Sequence, residues 1–231
     1  MRTLPSSSPV ILCFGDSLTA GYQSPTSACP AIRETPYGAF LQELVGSAAR
    51  VLVSGVCGEL TGEMAMRFRR DVLARQPTFV VVLGGTNDLG WNAAPPEIMR
   101  NLVKMYELAS AAGIRPVAVT VPSLRMAATA GETEDLRGWV QQHISRRRAL
   151  NALIAEYCVR RGVPCVDLFT ATSEPDTLQL AVPYSNDGLH LTTEGYTLLA
   201  RLLYDRVFAP VLGLAGDQPH KRSLDKPGEE E

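Results

Sequence analysis

Short apolar runs and amphipathic helical patterns alternate five times along this chain, and no other feature constrains the fold as strongly. The clearest run is Phe79-Val80-Val81-Val82-Leu83, which breaks into a glycine-rich segment. Continuous apolar runs of this length are typical of strands that are buried on both faces of a sheet. The alternation therefore predicts an α/β fold, a three-layer α/β/α sandwich with a five-stranded parallel sheet of the flavodoxin-like type.

The boundaries of these elements follow from the apolar periodicity and from glycine and proline positions. The predicted strands cover residues 10–14, 50–53, 79–83, 117–121 and 163–168. The predicted helices cover residues 37–49, 95–112, 136–161 and 193–208, with one more between Met64 and Pro77. At 231 residues the chain has the length of one α/β domain, which we assign to residues 9–212. Residues 213–231, rich in charge, glycine and proline, are predicted to be disordered.

Composition excludes several classes of partner. A net charge of −2 gives no reason to expect binding to nucleic acid. No apolar run approaches the roughly 20 residues of a membrane-spanning helix, so no integral membrane association is expected. The first apolar run is too short for a signal peptide, which predicts a cytoplasmic protein, although a mature secreted form would look the same. The five cysteines form no CxxC pair and are expected to be buried free thiols. The oligomeric state is not indicated.

The first strand runs directly into Gly15-Asp16-Ser17. Open parallel sheets bind their ligands beyond the carboxyl ends of the strands, so a small polar side chain delivered there is well placed for chemistry. Ser17 is therefore a candidate nucleophile. A serine hydroxyl needs a general base and an oxyanion-binding site to be effective, and the rest of the sequence must supply both.

The candidate base is His190, in the segment Ser185-Asn186-Asp187-Gly188-Leu189-His190 after the fifth strand. His143 lies in the middle of a predicted helix and His220 lies in the tail, so His190 is the histidine placed to act. Asp187 precedes it by three residues, and Gly188 permits a tight turn. A carboxylate at that spacing can fold back onto the imidazole, select its tautomer and stabilise the imidazolium.

Four blocks of this sequence together resemble the signatures of the SGNH hydrolases, the lipase/esterase group also called GDSL hydrolases. They are Gly15-Asp16-Ser17-Leu18, the loop around Gly58, Gly85-Thr86-Asn87-Asp88 and Asp187-Gly188-Leu189-His190. Each block is weak by itself, because short motifs recur by chance. All four occur in order, each after a predicted strand, and the resemblance covers residues 10–208.

The resemblance implies Ser17 as nucleophile, His190 as general base and Asp187 as its orienting carboxylate. It also implies an oxyanion hole made by the backbone N–H groups of Ser17 and Gly58 and the side-chain amide of Asn87. Gly55 is a rival for the second donor, because the asparagine often found before this glycine in the family is missing. Asp16 and Asp88 are expected to organise loops by hydrogen bonding. No cofactor and no metal are implied.

The implied reaction is hydrolysis of carboxylic esters through an acyl-enzyme, with a small-molecule ester as the partner. Residues beside the motif positions are predicted to contact the substrate: Leu18, Leu89, Trp91 and Leu189. The surrounding loops are mostly polar with scattered apolar side chains, which favours short acyl or acetyl esters. The alternative is a lipid-directed esterase, lysophospholipase- or thioesterase-like, with an apolar lid formed by Leu178, Leu180, Val182 and Leu189.

Other readings of the motifs fit less well. A phosphate or flavin loop at residues 15–21 would lack both GxxxxGK[ST] and GxGxxG. An α/β-hydrolase elbow is excluded because no serine satisfies GxSxG. A metal enzyme is disfavoured by the absence of HExxH. An inactive carbohydrate- or partner-binding protein on the same fold stays open. Arg146-Arg147-Arg148 is predicted to form a solvated helix face.

Overall fold

The computed structural model of the chain describes residues 8–126 and 133–214. The strands in this part of the chain are β1 (Val10–Gly15), β2 (Tyr22–Gln23), β3 (Arg33–Glu34), β4 (Arg50–Gly55), β5 (Phe79–Leu83), β6 (Arg115–Val119) and β7 (Cys165–Val166). Five of them form one sheet in the order β4-β1-β5-β6-β7, with every neighbouring pair parallel. The predicted five-stranded parallel sheet is confirmed.

The α-helices of the same residues are α1 (Ser17–Ala20), α2 (Tyr37–Val45), α3 (Thr61–Asp71), α4 (Thr86–Gly90), α5 (Pro95–Ala111), α6 (Glu134–Arg161), α7 (Leu168–Thr172), α8 (Thr193–Leu203) and α9 (Ala209–Leu212). A π-helical turn at Tyr204–Phe208 joins the last two. Thr192 caps α8, because its hydroxyl accepts a hydrogen bond from the backbone N–H of Gly195 at 3.3 Å.

The helices cover both faces of the sheet and form two separate hydrophobic cores. Successive side chains of a strand point to opposite faces, so Ile11 and Cys13 of β1 enter one core and Leu12 and Phe14 enter the other. The first core is completed by α2 and α8, and the second by α3, α5 and α6. Both faces of β1 are thus buried, which is why its sequence is apolar without alternation.

Four strands differ from the predicted boundaries, and β1 and β4 end one and two residues later than expected, at Gly15 and Gly55. Strand β6 begins two residues earlier than expected, because the backbone N–H of Arg115 donates to the carbonyl of Thr78 at 3.0 Å. It ends before Val121, whose N–H and C=O are both bonded to the side-chain amide of Asn151, at 2.8 and 2.9 Å. Strand β7 is limited to two residues, because Asp167 caps helix α7 immediately after it. The antiparallel pair β2–β3 lies between the first predicted strand and the first predicted helix, where no strand was predicted.

The register of the sheet brings three strand ends to one edge. Gly15 of β1 lies opposite Gly55 of β4 and opposite Leu83 of β5. The segments that follow these residues contain Ser17, Gly58 and Asn87, so the three meet beyond the same edge.

Some predictions concern features outside the sheet. Among the described residues, no helix combines the length and the apolar character needed to cross a bilayer. The predicted disordered tail falls outside the described residues from 215 onward.

The five cysteines are free, as predicted, but only Cys13 and Cys158 are buried. Cys57 is exposed, because it lies in the turn that carries Gly58 past the edge of the sheet.

Candidate active site

Ser17 is the first residue of a one-turn helix that starts as soon as β1 ends. Asp16 caps that helix, since its Oδ1 accepts a hydrogen bond from the backbone N–H of Leu18 at 2.9 Å. Gly21 ends it in the left-handed conformation, with φ 83°. Gly15 is required just before the turn, because a Cβ atom there would lie 2.1 Å from the carbonyl oxygen of Leu83. The serine hydroxyl is thereby held at the edge of the sheet.

Ser17, His190 and Asp187 are joined by two consecutive hydrogen-bonding contacts. His190 Nε2 is 3.1 Å from Ser17 Oγ, and His190 Nδ1 is 2.7 Å from Asp187 Oδ2. The contact joins residues 173 positions apart in the chain. Nucleophile, base and orienting carboxylate in this sequence of contacts form the geometry of a serine hydrolase triad.

The Asp187 carboxylate also organises its own loop. Its Oδ1 accepts from the backbone N–H groups of Leu189 and His190, each at 2.8 Å, and its Oδ2 accepts from the hydroxyl of Ser24 at 2.5 Å. Burial acts to raise the pKa of Asp187, but these hydrogen bonds and the one to His190 outweigh it and hold the pKa well below its usual range. Asp187 is therefore ionised at neutral pH and can stabilise an imidazolium.

Gly188 makes the turn between the carboxylate and the imidazole possible. Its φ is 85°, and a Cβ atom on it would lie 2.2 Å from the carbonyl oxygen of Arg125. Two contacts of the His190–Asp187 pair were not predicted. The Tyr22 ring lies 4.5 Å from that of His190, centroid to centroid, and Ser24 bonds Asp187. Both come from the segment after α1, which sequence patterns describe only as polar.

Asn87 lies in the first turn of α4, directly after β5. Its Nδ2 donates a hydrogen bond to the carbonyl oxygen of Glu59 at 2.9 Å, so the amide is held beside the turn that contains Gly58. Gly58 has φ 78° and open space where a Cβ would be. An amide carries two N–H donors, so the second one of Asn87 is free of this bond.

Gly55, the rival second donor, has a different task. A Cβ atom on it would lie 2.2 Å from the backbone nitrogen of Ala20, so glycine is needed there for α1 to pack against β4. Along β4 the N–H groups of Arg50 and Val56 donate to β1. Because bonding alternates along a parallel strand, the N–H of Gly55 is directed to the open side of β4. This geometry favours Gly58.

A buried ion network anchors the turn that carries Gly58. Arg67 bonds both carboxylate oxygens of Glu59 through Nε, at 2.7 and 2.8 Å, and bonds Asp71 at 3.0 Å. It also donates to the carbonyl oxygen of Gly15 at 2.9 Å. The residue after Gly58 is thus tied to the residue that ends β1. This network was not predicted.

Asp88 acts as the predicted organiser on the other side of the site. Its carboxylate accepts hydrogen bonds from the backbone N–H of Thr61, at 3.0 and 3.2 Å, and from the Thr61 hydroxyl at 2.6 Å. These bonds join the start of α3 to α4, which fixes the helix that presents Asn87.

Asp16 is fully buried, and its Oδ2 atom has no hydrogen-bond partner among the described residues. Burial raises its pKa to about 7, despite the backbone hydrogen bond from Leu18, which acts to lower it. A folded-state pKa raised above the unfolded value means that the folded chain binds this proton more tightly. The resulting stabilisation is complete at low pH and is lost as pH rises through about 7.

Asp16→Asn is accordingly expected to melt at a higher temperature than the wild type at pH 8.5, because it removes a buried charge and keeps the acceptor for Leu18. The difference should shrink towards pH 5, where the wild-type carboxyl is protonated. Thermal unfolding followed by circular dichroism at both pH values measures it, with the exposed Asp205→Asn as control. A difference that does not depend on pH would contradict the assigned ionisation.

A pocket of about 420 Å³ opens beside the triad. Its walls come from α4, the residues after β6, helix α6 and the histidine loop: Thr86, Asn87, Gly90, Trp91, Leu124, Arg125, Trp139, His143, Arg147, Asp187, Gly188 and Leu189. A larger apolar groove of about 740 Å³ between α5 and α6 contains none of the predicted site residues.

Two of the four predicted substrate contacts line this pocket, and two do not. Trp91 and Leu189 are among its walls. Leu18 and Leu89 are completely buried in the two hydrophobic cores, so their assignment to the pocket was wrong. Both residues follow a motif residue on a short helix, and in a helix the next side chain is turned about 100° away. That rotation directs them inward.

The arginine triplet of α6 is also different from the prediction. Arg148 is exposed, but Arg147 is only 2% exposed and lines the pocket. The buried stripe of α6 contains His143, Ile144, Arg147, Leu150 and Asn151, which recur at helical spacing. This helical spacing is the feature of the sequence from which the burial of Arg147 could have been predicted. Among the described residues, no cluster of three or more His, Cys, Asp or Glu side chains is suited to hold a metal.

The chain matches the GDSL-like lipase/acylhydrolase family over residues 13–198. A curated relative, the uncharacterized lipoprotein YqeF of Bacillus subtilis (strain 168), is 28% identical over 120 residues. That match covers 48% of this chain and 47% of the relative, so the chain spans about half the length of the curated relative it matches.

Solved structures share the fold. A GDSL-like lipase from Bacteroides thetaiotaomicron VPI-5482 is 23% identical, with a TM-score of 0.66 over 89% of this chain and 88% of that chain. A carbohydrate acetylesterase family member from Sinorhizobium meliloti is 19% identical, with a TM-score of 0.69 over 89% and 99%. The M. smegmatis aryl esterase is 17% identical, with a TM-score of 0.66 over 87% and 100%.

The matched residues contain Ser17, Gly58, Asn87, Asp187 and His190, and the fold of these neighbours is the one described above. The family predicted from the four sequence blocks is therefore confirmed: the chain belongs to the GDSL-like lipase/acylhydrolase family.

Proposed function

We propose that the chain is a serine esterase that hydrolyses carboxylic esters through an acyl-enzyme intermediate. The observation that carries the proposal is the continuous contact from Ser17 Oγ to His190 Nε2 and from His190 Nδ1 to Asp187. The direct test is a burst of released alcohol, equal to the enzyme concentration, on mixing with an activated ester, followed by slower turnover. A chain that releases no alcohol would contradict the proposal.

In the proposed reaction His190 Nε2 takes the proton of the Ser17 hydroxyl as Oγ attacks the ester carbonyl. The negative charge that forms on the carbonyl oxygen is bound by the N–H groups of Ser17 and Gly58 and by the Asn87 amide. His190 then donates its proton to the leaving alcohol. Water, deprotonated by His190, then attacks the acyl-enzyme. The bond between the acyl carbon and Ser17 Oγ breaks, His190 returns the proton to Oγ, and the acid is released. Asp187 stays ionised and pairs with the imidazolium throughout.

Asn87→Ala is expected to lower kcat roughly 10² to 10³-fold with a much smaller change in KM, because the amide acts mainly on the charged intermediate. Steady-state kinetics on one activated ester measure both constants. A loss confined to KM would instead assign Asn87 to substrate binding in the ground state.

The proposed substrates have short acyl groups of about two to six carbons, since each buried methylene is worth only about 0.8 kcal/mol where water is excluded from it. The pocket beside the triad combines two tryptophans with two arginines and a histidine, which is a polar lining for a long alkyl chain. Measuring kcat/KM against monomeric nitrophenyl esters of increasing length tests the preference. A maximum at eight carbons or more would overturn it.

The lipid-directed alternative required an apolar lid, and its residues are arranged otherwise. Leu180 is completely buried in the first core, and Leu178 packs against the small cluster of Leu124, Val140, Ile144 and Phe169. Val182 is exposed. Leu178 and Leu180 therefore stabilise the protein from within, and Leu189 is the one residue of the predicted lid that lines the pocket. This arrangement favours the short-chain substrates.

An inactive carbohydrate- or partner-binding role is the remaining alternative, and the burst experiment separates it from an esterase.

A cytoplasmic location stays a prediction, while a curated relative is named as a lipoprotein. Fractionation of cells that express the full chain, with detection in cytosol and membranes, tests it.

A further inference from the structure

Within residues 8–126 and 133–214, Arg147 is a buried cation without a counter-charge. It is 2% exposed, and its Nε and Nη1 atoms have no hydrogen-bond partner among these residues. No carboxylate forms an ion pair with it in the described part of the chain. Burial and the nearby charge of Arg146 lower its pKa to about 10, so it still carries its charge at neutral pH.

An unpaired guanidinium is costly to bury, because it exchanges hydration for an environment that offers no acceptor. Apolar residues of similar size would pack at this position of α6 without that cost. A buried charge without a partner in the protein is expected at functional sites, where a ligand supplies the missing hydrogen-bond acceptor.

Arg147 lines the pocket beside the triad, together with a second incompletely paired arginine. Arg125 donates from Nη2 to the carbonyl oxygen of Ser185, but its Nε is buried and has no partner in the part of the chain that the structure describes. The carboxylate among the pocket walls, Asp187, is already engaged by His190, Ser24 and its own loop. The pocket is thus positively charged and has unused N–H donors.

Two tryptophans and a histidine also line the pocket. Trp91 and Trp139 are 81% and 49% exposed, which leaves large apolar faces uncovered at this site. The Trp139 ring lies 4.0 Å from that of His143, centroid to centroid. Burial, followed by the charges of Arg147 and Arg146, lowers the pKa of His143, so this imidazole is neutral at pH 7. These rings suit the uncharged body of a ligand whose charged end reaches Arg147.

Hydrogen bonds on both sides of Arg147 fix helix α6 to neighbouring segments. Arg146 donates to the side chain of Asn92 and to the carbonyl oxygen of Ala93 at 2.7 Å, which joins α6 to the segment after α4. One turn later, Asn151 bonds both backbone groups of Val121. Arg147 therefore has little freedom to move away towards another partner.

We propose that this pocket binds a carboxylate group carried by the ester substrate, and that Arg147 is the residue that selects it. A guanidinium matches the two oxygens of a carboxylate in a fork of parallel hydrogen bonds. Asn87 belongs both to the pocket and to the proposed oxyanion hole, so a group bound there is part of the reacting molecule. The inference rests on the proposed esterase function.

The test compares matched esters in which the carboxylate lies on one side or the other of the scissile bond. For the acyl side, 4-nitrophenyl hydrogen glutarate is compared with 4-nitrophenyl pentanoate. For the alcohol side, 4-acetoxybenzoate is compared with 4-acetoxybenzamide. The wild type is expected to show a kcat/KM ratio of about ten or more in favour of the carboxylate in one pair, the size of a charge-assisted hydrogen bond. That pair identifies the half of the substrate that enters the pocket.

Arg147→Met is expected to reduce this ratio roughly ten- to hundredfold. Arg148→Met removes the same charge from the next residue of α6, which is exposed, and should leave the ratio unchanged. Arg147→Met should also melt at a higher temperature than the wild type, because it removes a buried unpaired charge. If it fails to fold, Arg147→Gln takes its place in the same comparison.

A binding measurement makes the result independent of turnover. Glutarate should raise the melting temperature of Ser17→Ala, glutaramide should not, and the Arg147 variant should lose the response. Hydrolysis of the neutral esters without preference for either carboxylate, and without a glutarate response, overturns this inference and leaves the esterase proposal intact. A glutarate response without hydrolysis of any of the four esters supports the binding site and contradicts the esterase.

Discussion

Replacing Ser17 by alanine is expected to lower kcat about 10⁶-fold, the loss seen when a serine hydrolase is deprived of its nucleophile. The reason is geometric, because the hydroxyl of Ser17 is the group within hydrogen-bonding distance of His190 Nε2. Without it no acyl-enzyme can form, and the oxyanion donors can assist only direct attack by water. Turnover of an activated ester, corrected for background hydrolysis, measures the loss.

The matched control is Ser110→Ala, on the outer surface of α5, where the hydroxyl bonds only a carbonyl of its own helix. It should keep wild-type activity. A second readout is the mass of the protein after treatment with a fluorophosphonate, which should rise by one adduct in the wild type and not in Ser17→Ala. Activity above a few per cent in the variant would mean that the nucleophile is elsewhere.

Asp187→Asn is expected to lower kcat about 10⁴-fold while the chain stays folded. An asparagine oxygen can still accept from the backbone N–H groups of Leu189 and His190, so the loop keeps its shape. The amide cannot stabilise an imidazolium, and its N–H groups favour the wrong tautomer of His190. The large effect on kcat should therefore come with little change in KM.

Asp176→Asn is the control, because that carboxylate is exposed in the segment before the histidine loop. Comparing melting temperatures of the two variants separates a chemical effect from a folding defect. An Asp187→Asn variant within tenfold of wild-type kcat would show that the carboxylate does not orient the base, whatever its distance from His190.

The parts of the fold that could be predicted are those governed by local physics. A strand buried on both faces must be apolar throughout, and β1 and β5 are. Boundaries failed where a side chain replaced the sheet as hydrogen-bond partner, as Asn151 does for Val121. Such a partner lies 30 residues away and leaves no local trace.

The contacts of the site also divide into local contacts, which could be predicted, and long-range contacts, which could not. Asp187 and His190 are three residues apart around a glycine, so their pairing is a local property of the chain. The contacts of Ser24, Tyr22 and Arg67 with the site come from other segments, and nothing in their own neighbourhoods predicts them.

The sequence by itself therefore determined the sheet, the family and the positions of Ser17, Gly58, Asn87, Asp187 and His190, because motif residues follow strand ends and strand ends share an edge. Only the tertiary structure decided which of their neighbours line the pocket. Consecutive helical side chains point about 100° apart, so the burial of Leu18, Leu89 and Arg147 depended on how α1, α4 and α6 dock on the sheet. The orientation of each helix on the sheet is set by packing between segments far apart in the chain. For α6 this packing places Arg147, one of three consecutive arginines, in the wall of the pocket.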